Sequence, residues 1–493
     1  MPIIYSKPIV QTTIFPTPTT NPSGFPSRVA DWLTNACDNY LRIDHWKTSN
    51  DGLYSTSRYG ERVNAHINRM PVEILGEIFI HCLGEIDPAR TGSSPTSLSP
   101  SPLADPQTLG EVCRFWRDVT LSTPSLWSKI WIYQPQRSQV RRVEMWLNRS
   151  REYPLNIRII QLPGGVTHDN HAAADKILSL LVGQVHRWRR IHFRFGSTAQ
   201  EPLLTLPVGA ATNMESAYVD MWKWDQASAD QFWKICFSSP SLRHADWVSY
   251  TKKPPNYVPW TQLTSITLYH GLTVEECMSI LQGCRHLEAL CIHAIWTYDS
   301  LVDPYGPLTL PSLRHLSFLG YVEGTAIFNR LTLPSLTSLE ISNAHPHHHH
   351  ERRSCMSFRN LLQRSACRLE KLRLFNTSIS PSDLHNYLST PQMLSLLELD
   401  LEAPVTNQTI HSLTLSDNPR QPHLLPNLEA ISLNEICTSD GSISDMILSR
   451  LSPKSNTPLK SARLWLKAQT HIRDISVFQN IMENNNWVHV VVT

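Results

Sequence analysis

Histidines between residues 345 and 350, in the run His-Pro-His-His-His-His, are the residues in this chain whose type and spacing first suggest chemistry. Histidine nitrogens are common ligands of transition metals. Consecutive histidines in one segment, however, seldom close a tetrahedral shell around an ion. The run also lies in one of the longest intervals of the repeat described below. We therefore expect a surface insertion and no metal site.

Catalytic motifs are missing from the sequence. It contains no G-x-S-x-G, no H-E-x-x-H, no glycine-rich phosphate loop and no paired-carboxylate constellation. The sequence thus predicts a non-catalytic protein without a cofactor. An enzyme hidden in the fold would need a deep pocket where His, Asp and Ser or Cys converge. Three Ser-Pro pairs, at Ser94, Ser99 and Ser101, could accept phosphate, although such loops mostly serve as connections.

Composition describes an ordinary globular chain. Of 493 residues, 41% are hydrophobic and 17% charged, and the formal net charge is +2. This balance gives no indication of nucleic-acid or membrane binding. No run of 18 apolar residues and no signal-peptide pattern occurs, and the ten cysteines form no C-x-x-C pair. We expect reduced thiols and a cytoplasmic or nuclear location.

A six-residue pattern recurs along most of the chain: Leu, two variable residues, an aliphatic, one variable residue, an apolar residue. Clean copies alternate with degenerate ones, and the eleven starts lie about 27 residues apart, within the range of leucine-rich repeats. The copies begin at Trp188, Met214, Leu242, Leu263, Leu287, Leu313, Leu336, Leu369, Leu394, Leu428 and Leu459.

Alternating apolar residues in each copy indicate a short strand with one buried face. Capped helical segments follow several copies, for example from Thr273 and from Ser380. The pattern resembles eukaryotic leucine-rich repeats, which implies an α/β solenoid with parallel strands on the concave face and helices on the convex face. The Asn expected two residues beyond each strand is missing, so the backbone there needs other partners and the repeat is irregular.

A different pattern occupies residues 69–131. Pro71 starts a helix that runs to Leu83 and is apolar over most of its circumference, so more than one of its sides must be covered. After a Ser/Pro-rich loop, Asp105-Pro106 begins a second helix, and Thr123-Pro124 begins a third that includes Ile130. These three short helices carry more apolar surface than they can bury alone.

Three segments of this module, 69–79, 109–116 and 121–127, resemble the F-box, in particular the F-box-like proteins common in fungi. The resemblance implies docking on the Skp-family adaptor of a Skp–cullin–F-box ubiquitin ligase, and through it on a cullin. The residues it assigns to the adaptor are Met70, Pro71, Ile74, Leu75, Ile78, Phe79, Leu109, Val112, Cys113 and Trp116. The same residues could instead pack the module against the repeats.

Four segments follow from these patterns. Residues 1–65 form a partly disordered tail with a possible helix over 28–41. Residues 66–134 form the small three-helix F-box with its internal loop 85–105, residues 135–187 a linker and the start of the solenoid, and residues 188–493 the leucine-rich-repeat domain.

The resemblance gives the repeat domain the role of binding a protein substrate through the variable strand positions. The candidate substrate residues are Arg189, His192, Tyr218, Arg243, Asp246, Arg314, His315, Glu340, Lys371, Arg373 and Glu398. Such a face could equally be solvated. Two functions remain open: a ubiquitin-ligase substrate receptor, and a leucine-rich scaffold for protein interactions outside a ligase.

Overall fold

The computed structural model describes residues 66–83, 105–162, 168–196, 200–221, 223–248, 257–269, 271–296, 307–322, 327–342, 351–375, 379–415, 424–451, 458–484 and 488–492. The helix expected over 28–41, the Ser-Pro loop and the histidine run lie outside these residues. The chain forms two compact units, Met1–Asn213 and Met214–Thr493. Within the described part, no helix is both long and apolar enough to cross a bilayer.

Unit 1 begins with helices and continues as a strand–helix repeat. Its parallel sheet has the order β1-β2-β3. The elements are α1 (Val72–Cys82), α2 (Pro106–Val112), α3 (Arg114–Ser122), β1 (Lys129–Tyr133), α4 (Arg137–Arg149), β2 (Leu155–Ile160), α5 (His168–Val182), β3 (Trp188–Arg194) and α6 (Glu201–Leu204), with 3-10 turns at His66–Arg69, Pro124–Trp127 and Val185–Arg187.

The second and third predicted helices differ from expectation. The second is broken at Cys113, whose extended backbone ends α2 and whose sulfur accepts a hydrogen bond from the Trp116 amide at the start of α3. The third is only the 3-10 turn, and Ile130 lies in strand β1. The parallel sheet therefore begins at Lys129, earlier than the repeat pattern indicated.

Two buried tryptophans join helix to strand in the same way. The Trp127 indole N–H donates to the carbonyl of Thr120 at 2.9 Å, and the Trp188 indole N–H donates to the carbonyl of Leu181 at 3.0 Å. Each bond joins residues seven positions apart. It connects a tryptophan at or just before the start of a strand with a carbonyl near the end of the preceding helix. Helix α3 is therefore bonded to the start of the first strand, β1, in the same way that α5 is bonded to the start of β3.

Unit 2 is an α/β repeat built on a long parallel sheet, as the sequence predicts. Its strand order is β4-β5-β6-β8-β10-β12-β13-β14-β16-β18-β19. The main strands are β4 (Ser216–Asp220), β5 (His244–Val248), β6 (Ser265–Leu268), β8 (Ala289–Trp296), β10 (His315–Val322), β12 (Ser338–Ser342), β13 (Lys371–Phe375), β14 (Glu398–Glu402), β16 (Ala430–Leu433), β18 (Ser461–Leu466) and β19 (Val488–Val492).

The helices of unit 2 are α7 (Gln226–Phe237), α8 (Val274–Gly283), α9 (Glu351–Ser365), α10 (Pro381–Leu388), α11 (Asn407–Leu413), α12 (Ser442–Leu451) and α13 (Ile472–Asn484). Two-residue strands complete it: β7 (Leu272–Thr273) beside β8, β9 (Leu308–Thr309) with β11 (Leu331–Thr332), and β15 (Val405–Thr406) with β17 (Ile436–Cys437). Thr273 caps α8 and Ser380 caps α10, as predicted.

The core of unit 2 consists of apolar rows that cross the sheet in register. Leu372 lies beside Leu399, and Leu399 beside Ile431, all with 2% exposure or less. Each repeat contributes its fourth and sixth pattern positions to such rows. One side of most main strands is thus buried, and the next residue along the strand faces the other way.

One repeat copy starts two residues later than predicted. Leu394 is 54% exposed and lies in a 3-10 turn, whereas Leu396, Leu399 and Leu401 are fully buried. The register pairs Leu372 with Leu399 and therefore places Leu396 in the leading position. Leucines recur at every second position in this segment. A repeat that starts at Leu394 and one that starts at Leu396 therefore both fit the alternation of apolar and variable residues.

Arginines at helix ends donate hydrogen bonds to backbone carbonyls of the preceding repeat. Arg450, 1% exposed at the end of α12, donates hydrogen bonds to the carbonyls of Leu413, Leu424 and Leu425. Arg364 at the end of α9 likewise donates to carbonyls of the preceding repeat. Burial lowers the pKa of Arg450 to about 10, so the side chain remains charged at neutral pH.

We expect Arg450→Met to lower the free energy of unfolding by about 3 kcal/mol or more, because it removes the guanidinium hydrogen bonds to three buried carbonyls. Chemical denaturation followed by circular dichroism measures the change. Arg463→Met, at an exposed position of β18, is the matched control and should change stability little. Equal losses for both variants would show that the buried guanidinium does not hold the repeats together.

Candidate functional site

Helix α1 has two apolar sides with opposite exposure. Leu75 and Phe79 are fully buried, and the Phe79 ring lies 4.7 Å from that of Trp116. On the other side, Ile74 is 53% exposed and Ile78, one turn later, is half-buried. One side of the helix therefore belongs to the core of unit 1, and the other presents apolar surface.

Local sequence fixes this orientation. Pro71 precedes the first helical residue, and Glu73 lies in the first turn, where a carboxylate favours the helix start. At Gly76 the helix comes so close to Thr123 that an added Cβ would lie 3.2 Å from its hydroxyl oxygen. A larger residue at Gly76 would push α1 away from the turn that leads into β1.

The ten predicted adaptor residues divide between these roles. Those that are buried are Leu75, Phe79, Leu109 and Trp116. Those that are half-buried are Ile78, Val112 and Cys113. Those that are exposed are Met70, Pro71 and Ile74. Val72, which was not among the ten, is 46% exposed in the first turn, about 160° around the helix from Ile74.

The strand face of unit 2, opposite its buried rows, carries one continuous row of mainly polar positions. Successive strand pairings place these residues side by side: Tyr218, Asp246, Thr267, Cys291, Ser317, Glu340, Arg373, Asp400, Ser432, Arg463 and His489. Four predicted substrate residues lie in this row: Tyr218, Asp246, Glu340 and Arg373.

Other predicted substrate residues lie beside the row. His315, Lys371 and Glu398 occupy a parallel row two residues nearer the strand starts. Arg243 and Arg314 precede their strands and have exposed side chains, while their carbonyls accept hydrogen bonds from the next repeat. Arg189 and His192 belong to β3 of unit 1. The sequence did not predict Asp400 or Ser432 as members of this row. Asp400 was missed because the repeat copy was taken to start at Leu394 and not at Leu396. Ser432 was missed because a small hydroxyl side chain does not stand out in the sequence.

Charges at the centre of the unit 2 strand face are largely paired within the protein. The Glu398 carboxylate accepts hydrogen bonds from Arg373 at 2.8 Å and lies 3.0 Å from the Lys371 ammonium. Burial opposes ionisation, but these two cations hold the pKa of Glu398 below its usual value. Half-exposed ion pairs of this kind contribute little stability.

Asp246 stands apart because it is only 8% exposed. Burial raises its pKa to about 6, although a hydrogen bond from Thr267 acts in the opposite direction. Nearby, the rings of Tyr269 and His293 stack with centroids 4.0 Å apart, and burial lowers the pKa of His293 to about 4. This part of the face offers little accessible polar surface at neutral pH.

Three side chains at the last helices could hold a metal ion by geometry alone. Candidate ligand atoms of Asp440, His471 and Asp474 lie within 4.8 Å of one another. Each carboxylate already has partners: Asp440 accepts from the Arg473 and Asp474 amides, and Asp474 accepts from the Ser444 amide. Because the two aspartates cap α13 and α12 in this way, we assign the cluster a structural role.

Asp246 should make wild-type stability fall as the pH rises from about 4 to about 6. Its folded-state pKa of about 6 exceeds the ordinary 3.8, so the unfolded chain loses the proton first. Asp246→Asn removes this penalty, and its advantage over wild type should grow by up to about 3 kcal/mol between pH 4 and pH 7. Urea unfolding at several pH values measures it.

Asp225→Asn is the control with the opposite sign. Hydrogen bonds from Ser228 lower the pKa of Asp225, so its replacement should destabilise the protein at pH 7 and matter less as the pH falls towards 3. A pH-independent effect of Asp246→Asn would show that its carboxyl group is solvated in the folded protein.

Comparisons with known proteins add little to these observations. No protein-family model matches the chain, and no curated protein matches its sequence. A crystal structure of a Bacteroides fragilis protein aligns at 13% identity with a TM-score of 0.33, over 53% of this chain and 68% of that chain. The TLR13–ssRNA13 complex aligns at 13% identity with a TM-score of 0.25, over 69% of this chain and 67% of that chain. Similarity at this level says nothing about the function of this chain. Its own repeat and strand register show that it is a leucine-rich-repeat-like α/β protein with parallel strands.

Proposed function

We propose that this chain is the substrate-recognition subunit of a Skp–cullin–F-box-type ubiquitin ligase, without catalytic residues of its own, in the cytoplasm or nucleus. The observation that carries the proposal is the open apolar side of α1. Ile74 is 53% exposed and Ile78 is half-buried on a helix whose opposite side is fully buried, and Met70, two residues before the helix, is 37% exposed. A helix of this kind suits a groove in a partner protein.

The energetics favour a docking surface wider than α1. Fully burying an aliphatic side chain of this size contributes about 1.5–3 kcal/mol. Association costs about 4–15 kcal/mol in lost freedom of motion, which Met70, Ile74 and Ile78 alone only begin to offset. The half-buried Val112 and Cys113, at the break between α2 and α3, are the next apolar groups available. We therefore place the adaptor across α1 and this break.

The repeat part supplies the second half of the proposed function. A row of eleven aligned positions, about 48 Å long at the usual strand spacing, can meet an extended or folded partner. Its mixed charges suit a protein surface better than a polyanion. Solenoid sheets of this type commonly act as binding surfaces.

A leucine-rich scaffold outside any ligase is the second candidate. The observation that favours it is the burial of Leu75, Phe79 and Trp116, since this part of the F-box-like motif is needed to fold unit 1 whether or not an adaptor binds. The two candidates predict different effects of substitutions at the exposed residues. Only the ligase role predicts that such substitutions weaken adaptor binding while the fold stays intact.

Replacing Ile74 and Ile78 by Asp should abolish adaptor binding and leave the fold intact, because both side chains face away from the core. A pull-down of the full chain with a recombinant fungal Skp-family adaptor, quantified by surface plasmon resonance, measures this. We expect a loss of affinity of at least about a hundredfold, equivalent to about 3 kcal/mol. Phe79 is unsuitable for the test, because a charge at a fully buried position would unfold the unit.

Val208→Asp is the matched control, since Val208 is 65% exposed and lies far along the chain from α1. It should bind the adaptor as wild type does, and thermal melts of all three proteins should coincide. Absence of adaptor binding by wild type, or equal binding by the Ile74/Ile78 variant, would favour the scaffold outside a ligase.

A further inference from the structure

A surface cavity of about 280 Å³ opens in unit 2 just before the starts of β13, β14 and β16. Its walls come from the residues that lead into these three strands, so it lies beside the strand face. The lining contains one cation, Arg368, two side-chain amides, Gln392 and Asn427, and no carboxylate. Ligand pockets usually measure about 300–1,000 Å³, so this one has room for the end of a peptide chain and not for a longer segment.

Leu394 gives the pocket an apolar wall that the repeat itself does not need. It is 54% exposed, because Leu396 takes the leading position of this repeat. In other repeats the residue two positions before the leading one is a proline, as at Pro240, Pro311, Pro334 and Pro426. Pro391 and the buried Cys367 add apolar surface to the pocket, since burial raises the pKa of the thiol and keeps it uncharged.

Hydrogen bonds between repeats hold the walls of this pocket in place. The Asn427 side-chain amide donates to the Leu394 carbonyl at 2.8 Å, and the Ser395 hydroxyl donates to the Leu369 carbonyl at 2.8 Å. Each bond joins one repeat to the repeat before it. The pocket is therefore preformed, and a ligand does not have to order its walls.

Two polar groups of the pocket lack a partner among the residues that the structure describes. No carboxylate pairs there with the exposed Arg368, and no donor reaches the buried Oε1 atom of Gln392. A buried acceptor without a donor is costly, and a ligand that brings an N–H group removes that cost. The pocket thus offers a cation for an anionic group and an acceptor for an N–H group.

We propose that this pocket binds the C-terminal residue of a partner protein, one with an apolar side chain and a free carboxylate. The terminal carboxylate pairs with the planar guanidinium of Arg368, the amide N–H of the same residue donates to Gln392, and its side chain packs against Leu394. The inference rests on the proposed function only in assigning this chain end to the recruited substrate.

A chain end fits the pocket better than an acidic side chain within a chain. In the last residue of a protein, the carboxylate and the amide nitrogen are attached to the same Cα atom, so both can enter a small pocket together. An internal Asp or Glu requires the chain to pass on both sides of the pocket. It also has no apolar side chain to place against Leu394.

Fluorescence anisotropy with the full chain tests the inference. The probe is a labelled peptide of Gly and Ser that ends in Leu with a free carboxylate. We expect it to bind at least about tenfold more tightly than the same peptide with a C-terminal amide, and than an amidated peptide with one internal Glu. No binding, or equal binding of the free acid and either control, would overturn the proposal.

Variants locate the site. Arg368→Gln should remove the preference for the free acid, whereas Arg285→Gln, at another exposed position of unit 2, should keep it. Leu394→Ser should weaken the acid and the amide by a similar factor, about fivefold or more, because both peptides end in the same side chain. An unchanged preference for the free acid in Arg368→Gln would overturn the site.

Gln392→Met separates a role in binding from a role in folding. Because the Oε1 atom has no donor in the free protein, its removal should leave the melting temperature unchanged or raise it. The same variant should weaken the free-acid peptide by about fivefold or more. A lower melting temperature with unchanged peptide binding would overturn the assigned geometry.

Adaptor binding separates this inference from the proposed function. The Arg368→Gln variant should still bind the adaptor, and the Ile74/Ile78 variant should still prefer the free-acid peptide. Peptide binding without adaptor binding by wild type would refute the ligase role and leave the chain-end pocket standing. Adaptor binding with no preference for the free acid would do the reverse.

Discussion

Alternate burial along each strand is the constraint on which the rest of this molecule depends. Leu372, Leu399 and Ile431 must lie side by side because only that register buries all of them against the helices. Once the buried rows are fixed, the residues between them are fixed as well, in rows on the other face. The position of the polar row of unit 2 follows from this hydrophobic burial.

The segments between repeats contain polar backbone groups that need hydrogen-bond partners. Arginines at helix ends supply donors for such groups: Arg187 donates to the Tyr153 carbonyl, and Arg364 and Arg450 donate to carbonyls of the repeats before them. Serine hydroxyls of Ser365 and Ser449, next to the last two arginines, accept from backbone amides. A guanidinium reaches several carbonyls at once, so intervals of unequal length can be tolerated.

The repeat and its parallel sheet could be predicted from sequence because a period of about 27 residues and a two-residue alternation are both strong signals. The frame at Leu396 could not, since alternating leucines fit two registers and only the neighbouring strand decides between them. Strand β1 was missed because Ile130 was assigned to the third predicted helix, and β2 was missed because Pro154 holds the leading position where the recognised copies have Leu, Trp or Met. The break at Cys113 left no signal, because no proline or glycine marks it. Ion pairing depends on which residues lie side by side on neighbouring strands, so it could not be predicted from the sequence of a single strand.

The F-box-like motif shows why a match of residue types does not by itself assign a role. Leu75 and Ile74 are adjacent and similar, yet one is fully buried and the other is 53% exposed. A helix turns by about 100° per residue, so neighbouring aliphatics in an apolar helix necessarily serve different surfaces. Loss of Leu75 or Phe79 would remove folding and binding together, and only the open side can report on a partner. The exposed side of α1 and the polar strand face of unit 2 therefore differ in chemistry, and each needs its own test for a partner.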